Sequence, residues 1–457
     1  MPTKSKQSRE QLTVGSIPRH VADMAIPASI GLFFQTMYNV VDSFYAGEIS
    51  TGALAALGLS FPVYLLVIAA SSGLSRAASA LIANAIGAED SEKQNQFTCQ
   101  AISLGVLLSV VLAIGGFIAA PFLFGILGAE GELLDYALSY MNPIFCGASF
   151  FVLLSICNAI LIANGDSRTL GGVLVVGFFL NLVLDPWFLY GGFGLPAMGI
   201  TGIAVATVVI QAMSSLFMLS VVVRRGLLKS TGLSPFIPNL AIFKEIIVQA
   251  IPAGFNTLSV ALSFFIVNFF LKEHGEEAIA AFGVTTRIEQ IGLMPTFGLY
   301  AAILALVGQN NGAKKFDRVR ATLRFCNLVG VGLSMFTSAM ILIFLVPLLR
   351  IFTDDPTVIE IGIGCAYVIM FIQWSYVLTS THLATLQAIK KPFYGFFETI
   401  LRKIAFPLLF IVLLDANTTL GIHAIWIGLA VANVLMTGIT IFFAWSKLKQ
   451  LGAVSNH

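Results

Sequence analysis

Along the chain, long apolar runs alternate with short polar stretches. A helix needs about 20 apolar residues to cross the hydrocarbon of a bilayer, and runs of that length recur from end to end. The pattern predicts twelve spans, near 22–47, 53–84, 97–120, 132–161, 168–190, 199–223, 243–271, 278–309, 322–350, 356–386, 396–414 and 420–446. Several exceed the minimum, as tilted or kinked helices do. A transmembrane barrel would show ~10-residue alternating strands instead. The expected fold is an all-α polytopic membrane protein.

The spans repeat. At a constant offset of 225 residues, Pro27 matches Pro252, Ala28 matches Ala253 and Phe44 matches Phe269. Ala55-Ala56-x-Gly58 matches Ala280-Ala281-x-Gly283, Gly73-Leu74 matches Gly298-Leu299, and Leu81, Gly87 and Ala88 match Leu306, Gly312 and Ala313. The Gly and Pro coincidences carry the weight, because Leu and Ala match by chance in apolar helices. Six spans per copy start both copies on the same side, which makes them parallel repeats. The expected organisation is a first six-helix bundle over 1–223, a linker over 224–244 with Gly232, Pro235 and Pro238, and a second bundle over 245–457.

Composition agrees with a membrane protein. Hydrophobic residues are 57% of 457 and charged ones 11%, against roughly 25% charged in soluble domains. The basic residues are asymmetrically placed. With the N-terminus inside, the cytoplasmic segments hold Lys4, Lys6, Arg9, Arg19, Lys93, Arg168, Arg224, Arg225, Lys229, Lys244, Lys314, Lys315, Arg318, Arg320, Arg324, Lys390, Lys391, Lys447 and Lys449, and the outer loops only Lys272 and Arg350. Both termini are therefore expected in the cytoplasm. Arg76, Arg287, Arg402 and Lys403 lie inside spans or near their ends. The polar first twenty residues lack the apolar core of a signal peptide. Cys99, Cys146, Cys157, Cys326 and Cys365 form no Cys-x-x-Cys pair and read as thiols packed between helices.

Against this apolar background two acids stand out. Asn181 and Asp185, in Asn181-Leu-Val-Leu-Asp185-Pro, lie four apart and share a helix face. Asp42 lies in the first span, in Val41-Asp42-Ser-Phe. A carboxylate in hydrocarbon costs at least about 2.5–3.5 kcal/mol on insertion scales, so it is rarely there without a partner or a role. Helix rise places Asp42, Asn181, Asp185 and Thr207 at similar depth, in the outer half of the first bundle. The plainer reading of each acid is a helix-end carboxylate near the headgroups, with Asn181 and Thr207 as interhelical hydrogen-bond glue. The sharper one is a shared site. Two carboxyls in a dry pocket can trade a proton near neutral pH, and with an amide carbonyl and a hydroxyl they also suit a small hard cation such as Na+.

The second half does not repeat these acids: Val267 stands where Asp42 would recur. Its polar groups are Asn256, Ser259, Ser263, Gln373, Tyr376, Thr379 and His382. Arg287 and Glu289 are two apart and cannot face each other on a helix. A structural ion pair is the plainer use of each, and Glu289 is a reserve candidate for coupling. No His pair with an acid and no Ser/Lys dyad shares one depth, so no enzyme is expected, and no cofactor or nucleic-acid partner. Some of the 38 Phe would line a cleft for apolar cations.

The chain resembles the multidrug and toxic compound extrusion family over essentially its whole length. The matching pieces are Val41-Asp42-Ser-Phe, Asn164-Gly-Asp166-Ser-Arg168, Asn181-Leu-Val-Leu-Asp185-Pro, Gly199-Ile-Thr-Gly202 through Ala206-Thr207, and the run from Arg287 through Pro295 and Gly298 to Gly308-Gln309 and Gly312. The resemblance implies a V-shaped 6+6 pair of bundles in the inner membrane that exports organic, often cationic and aromatic, compounds in exchange for H+ or Na+. In the damage-inducible-like branch the corresponding cation site maps to Asp42, Asn181, Asp185 and Thr207, with Tyr140 and Asn158 as further members of the network. A monomer is expected. The alternative within the superfamily is an exporter or flippase of a lipid-linked or metabolite substrate, for which a cationic cleft would be expected; this sequence reads as a cleft with acids and few basic residues.

Overall fold

The structure, a computed structural model, describes residues 12–192, 194–229, 232 and 234–454, with side chains to residue 451. The tail residues Lys4, Lys6 and Arg9 lie outside the described residues. The helices are α1 (Ile17–Ile49), α2 (Thr51–Gly87), α3 (Ser91–Ile126), α4 (Gly131–Cys146), α5 (Ala148–Ala163), α6 (Arg168–Tyr190), α7 (Ile200–Arg224), α8 (Leu240–Leu271), α9 (Glu276–Gly312), α10 (Phe316–Ile343), α11 (Leu345–Arg350), α12 (Pro356–Ala388), α13 (Phe393–Ile400), α14 (Phe406–Asn417) and α15 (His423–Val454). Ten are individually long and apolar enough to cross a bilayer, and the bent pair α4–α5 makes an eleventh span. The expected twelfth span, near 396–414, falls on α13–α14, which are joined by one π-helical turn at Leu401–Ala405. The protein is thus the expected all-α polytopic membrane protein with two six-helix bundles.

Helix ends overrun the apolar runs by several residues, because capping groups rather than hydrocarbon end a helix. Asp90 accepts from the Lys93 N–H at 2.9 Å before α3. Asn239 caps α8 through Ala241 and Ile242, and Asp355 caps α12 through Thr357 at 2.8 Å. Each satisfies backbone donors that the first turn cannot.

Two spans are broken for identifiable reasons. The α4–α5 pair is bent by 51° at Gly147, four residues after Pro143, whose ring removes a backbone donor. A Cβ at Gly147 would stand 2.6 Å from Val208, so α7 packs directly into the bend. In α13–α14 the π-turn inserts an extra residue into the helical register.

Lipid-facing surfaces carry large apolar side chains such as Ile118, Phe122, Phe371 and Phe442. The interior is built largely from small residues, with Ala77, Ala78 and Ala80 on α2 and Ala302 and Ala305 on α9 fully buried. Small side chains let membrane helices approach closely, which is what holds them together where lipid is as apolar as Leu. Across the bundle interface α8 packs on α2, α1 on α9, and α2 on α9. At one end of the α2/α9 crossing a Cβ on Gly87 would lie 1.8 Å from the Gln309 carbonyl oxygen, and one on Gly312 would lie 2.0 Å from that of Asn84. The two contacts are the same contact moved by the repeat offset.

Candidate cation site and cleft

On α6 four of the five buried residues, Gly177, Asn181, Asp185 and Leu189, form one stripe, and the fifth, Gly171, meets the Pro27 backbone of α1. Four-residue spacing keeps the stripe on one face. The helix continues through Pro186 to Tyr190, so Asp185 lies within it, with no accessible surface. Asp42 sits on α1 and is likewise buried.

The structure brings these elements together. Asn181 Nδ2 donates to Asp42 Oδ1 at 2.9 Å, and Thr207 Oγ1, from α7, donates to Asp42 Oδ2 at 3.5 Å. The Asp185 carboxyl lies within electrostatic range of that of Asp42, and both its oxygens, with Oδ1 of Asn181, are buried without a hydrogen-bond partner. Buried polar atoms are almost always satisfied, and an acceptor-rich pocket with orphaned oxygens is the chemistry that suits a proton shared between carboxyls or a small hard cation. Among the described residues no group of three His, Cys, Asp or Glu stands ready to hold a metal, so any cation here would be held by two carboxylates together with neutral oxygens.

Tyr140 of α4 lies within electrostatic range of both acids. Tyr38, one turn before Asp42 on α1, also reaches both acids electrostatically, and Tyr64 of α2 reaches Asp42; sequence reasoning missed both. Tyr38 carried a signal, since it precedes Asp42 by four residues and so shares its face. The Asn158 carbonyl on α5 is buried and unpartnered and makes no hydrogen bond to the acids. Cys146 departs from the expectation of packed thiols: it ends α4 at the bend and is exposed, while the other four free cysteines are buried.

The second bundle holds a cavity of about 430 Å³. Glu289 lines it, whereas Arg287 is exposed on another face of α9. Neither forms an ion pair among the described residues, so the ion-pair use expected for them does not hold. The expectation of few basic residues also fails, because Arg76, Arg402 and Lys403 all line this cavity. Arg402 pairs with the fully buried Glu398 one turn earlier and reaches Asn433 Oδ1 at 3.3 Å. Lys403 Nζ donates to the Asn256 carbonyl at 3.0 Å and Ser259 Oγ at 2.9 Å. Arg76 crosses from α2 to the Ala253 carbonyl at 3.3 Å. The signal in the sequence was Glu398 four before Arg402 in an otherwise apolar run; placing the basic pair at a span end hid it.

Known proteins agree with this architecture. The MatE family model matches residues 27–187 and 252–411, two segments that begin at the repeated prolines. The chain is 28% identical over 371 residues to a probable multidrug resistance protein NorM of Thermotoga maritima, covering 80% of this chain and 79% of the relative. It is 27% identical over 378 residues to a FAD transporter of Shewanella oneidensis, covering 79% and 81% respectively. A solved outward-facing multidrug resistance MATE transporter of the MOP superfamily superposes with a TM-score of 0.89 at 26% identity, covering 98% of this chain and 99% of that one. Matched in both halves by the family model and along nearly its whole length by such a fold, the chain belongs to the MATE family of multidrug efflux transporters.

Proposed function

We propose that this protein is a secondary antiporter of the inner (plasma) membrane, with both termini cytoplasmic, that exports amphipathic organic molecules in exchange for inward H+ or Na+. It works as a monomer. The single observation that carries the reading is the acid pair. Two buried carboxyls from distant helices lie within electrostatic range of each other, and the oxygens of Asp185 have no hydrogen-bond partner. Asp42, Asn181, Asp185 and Thr207 hold the coupling cation, and Tyr140 belongs to the surrounding network.

Empty of cation, the pocket holds charge that hydrocarbon strongly disfavours; loaded, it is close to neutral. That difference can shift a conformational equilibrium only through an element that senses both sites. Helix α1 is such an element, since it carries Asp42, packs on α6 beside Asp185, and packs on α9 of the other bundle. The polar set is that of the damage-inducible-like branch, and the names of the relatives, from multidrug resistance protein to FAD transporter, fit organic solutes of some size. Export or flipping of a lipid-linked substrate remains the rival use of the same fold.

The deciding experiment is export from proteoliposomes under an imposed pH or sodium gradient. One of the two gradients should drive export, and Asp42→Asn and Asp185→Asn should each abolish it while the protein still inserts. Full transport by both variants would falsify the site.

A further inference from the structure

We infer that the cavity of the second bundle binds an aromatic amphiphile carrying an anionic group, a phosphate, sulfonate or carboxylate. This deepens the exporter reading by assigning the charge of its substrate, and it reverses the cationic cargo that the family resemblance implies.

The charges point that way. Among the described residues lining the cavity, Arg76, Arg402 and Lys403 are basic and Glu289 is the one acid. Glu398 neutralises Arg402. Lys403 and Arg76 hydrogen-bond only to neutral acceptors, and Lys403 lies within electrostatic range of Arg402 and Glu398 and, across the bundle interface, of Arg76. An ammonium has three donors, and Lys403 spends two on Asn256 and Ser259, leaving one N–H for a ligand. Basic groups at membrane depth whose hydrogen bonds go only to neutral partners are expensive and mark sites of function.

The remaining lining suits a ring. Arg76 stacks its guanidinium 4.9 Å from the centroid of Tyr300, and Tyr376, Phe264, Phe282 and Trp426 add aromatic walls. A volume near 430 Å³ falls in the range of about 300–1,000 Å³ typical of small-molecule sites. Arg402 and Lys403 sit side by side on the π-turn, and both line the cavity.

Calorimetric binding to the purified full-length protein tests this without transport, using naphthyl phosphate and the matched naphthylmethyl-trimethylammonium cation. The phosphate should bind more tightly than the ammonium. Lys403→Gln and Arg76→Gln should each weaken it by about tenfold, the worth of a charge-assisted bond, and Lys403→Arg should retain it. Glu289→Gln should tighten it, a gain that general damage to the fold does not produce. Tighter binding of the ammonium, or phosphate binding that is absent or unmoved by both Gln substitutions, overturns the assignment. That failure would leave gradient-driven export and its dependence on Asp42 and Asp185 standing, whereas loss of coupling alone would leave phosphate binding intact.

Discussion

Asp42 illustrates how one hydrogen bond can matter more than its neighbour. The Asn181 bond at 2.9 Å is well formed, while that from Thr207 at 3.5 Å is at the limit of such contacts. Bonds to a charged group contribute about 1.5–3 kcal/mol, which is roughly one to two powers of ten in affinity. Asn181→Ala should therefore slow gradient-driven export by about tenfold or more, and Thr207→Val by only a few-fold; initial rates in proteoliposomes read the difference, and equal losses would mean that distance does not rank these donors. At a surface loop the logic is different. Burial alone would raise Asp166, but the Thr169 N–H at 3.0 Å, its hydroxyl and the Arg225 guanidinium together hold the carboxyl below its ordinary 3.8. A depressed carboxyl stabilises the fold above the ordinary value and loses that contribution as pH falls through the depressed one. The stability gap between wild type and Asp166→Asn should be open at neutral pH and close below about pH 4, as thermal unfolding in detergent across pH would show.

Among the elements, α13–α14 is the one whose break has a cost and a use. It carries a buried ion pair, Glu398 with Arg402, one turn apart. Removing one partner of such a pair leaves a buried uncompensated charge and costs about 3–5 kcal/mol, whereas replacing both by apolar groups is often neutral. Glu398→Gln should lower the unfolding temperature markedly, and adding Arg402→Met should restore most of it. No recovery in the double variant would mean that the pair is held for another reason.

For the whole molecule, the repeat governs how the bundles meet. A Cβ at Gly73 would clash with Ala250 and Gly254, and one at Gly298 with Ala25 and Ser29; every residue in the second set is its counterpart in the first displaced by one repeat. The same holds for Gly87 against Gln309 and Gly312 against Asn84. Backbone-to-backbone contact this close tolerates no side chain, so Gly87→Ala and Gly312→Ala should each wedge that end of the interface open, to similar extents. Spin labels at Ala88 and Ala313 would report the separation. Gly58→Ala, with nothing near its Cβ, should leave it unchanged.

Span number and the repeat were legible because hydrophobicity, Gly and Pro act locally and a bilayer sets one fixed length to read them against. The acids, too, were conspicuous, since charge in an apolar run needs no partner in sequence to be seen, and the four-residue step from Asn181 to Asp185 already put them on one face. Which distant groups meet was another matter. That Asp42 would accept from Asn181 and Thr207, that Tyr38 and Tyr64 would surround the pair, and that Arg76 from one bundle would share a cavity with Lys403 from the other, all depend on how helices cross. Crossings are set by small-residue contacts between segments hundreds of positions apart, and by a single π-turn that hydropathy averages away. Only the packed structure could turn a run that looked like a span end into the basic wall of a cleft.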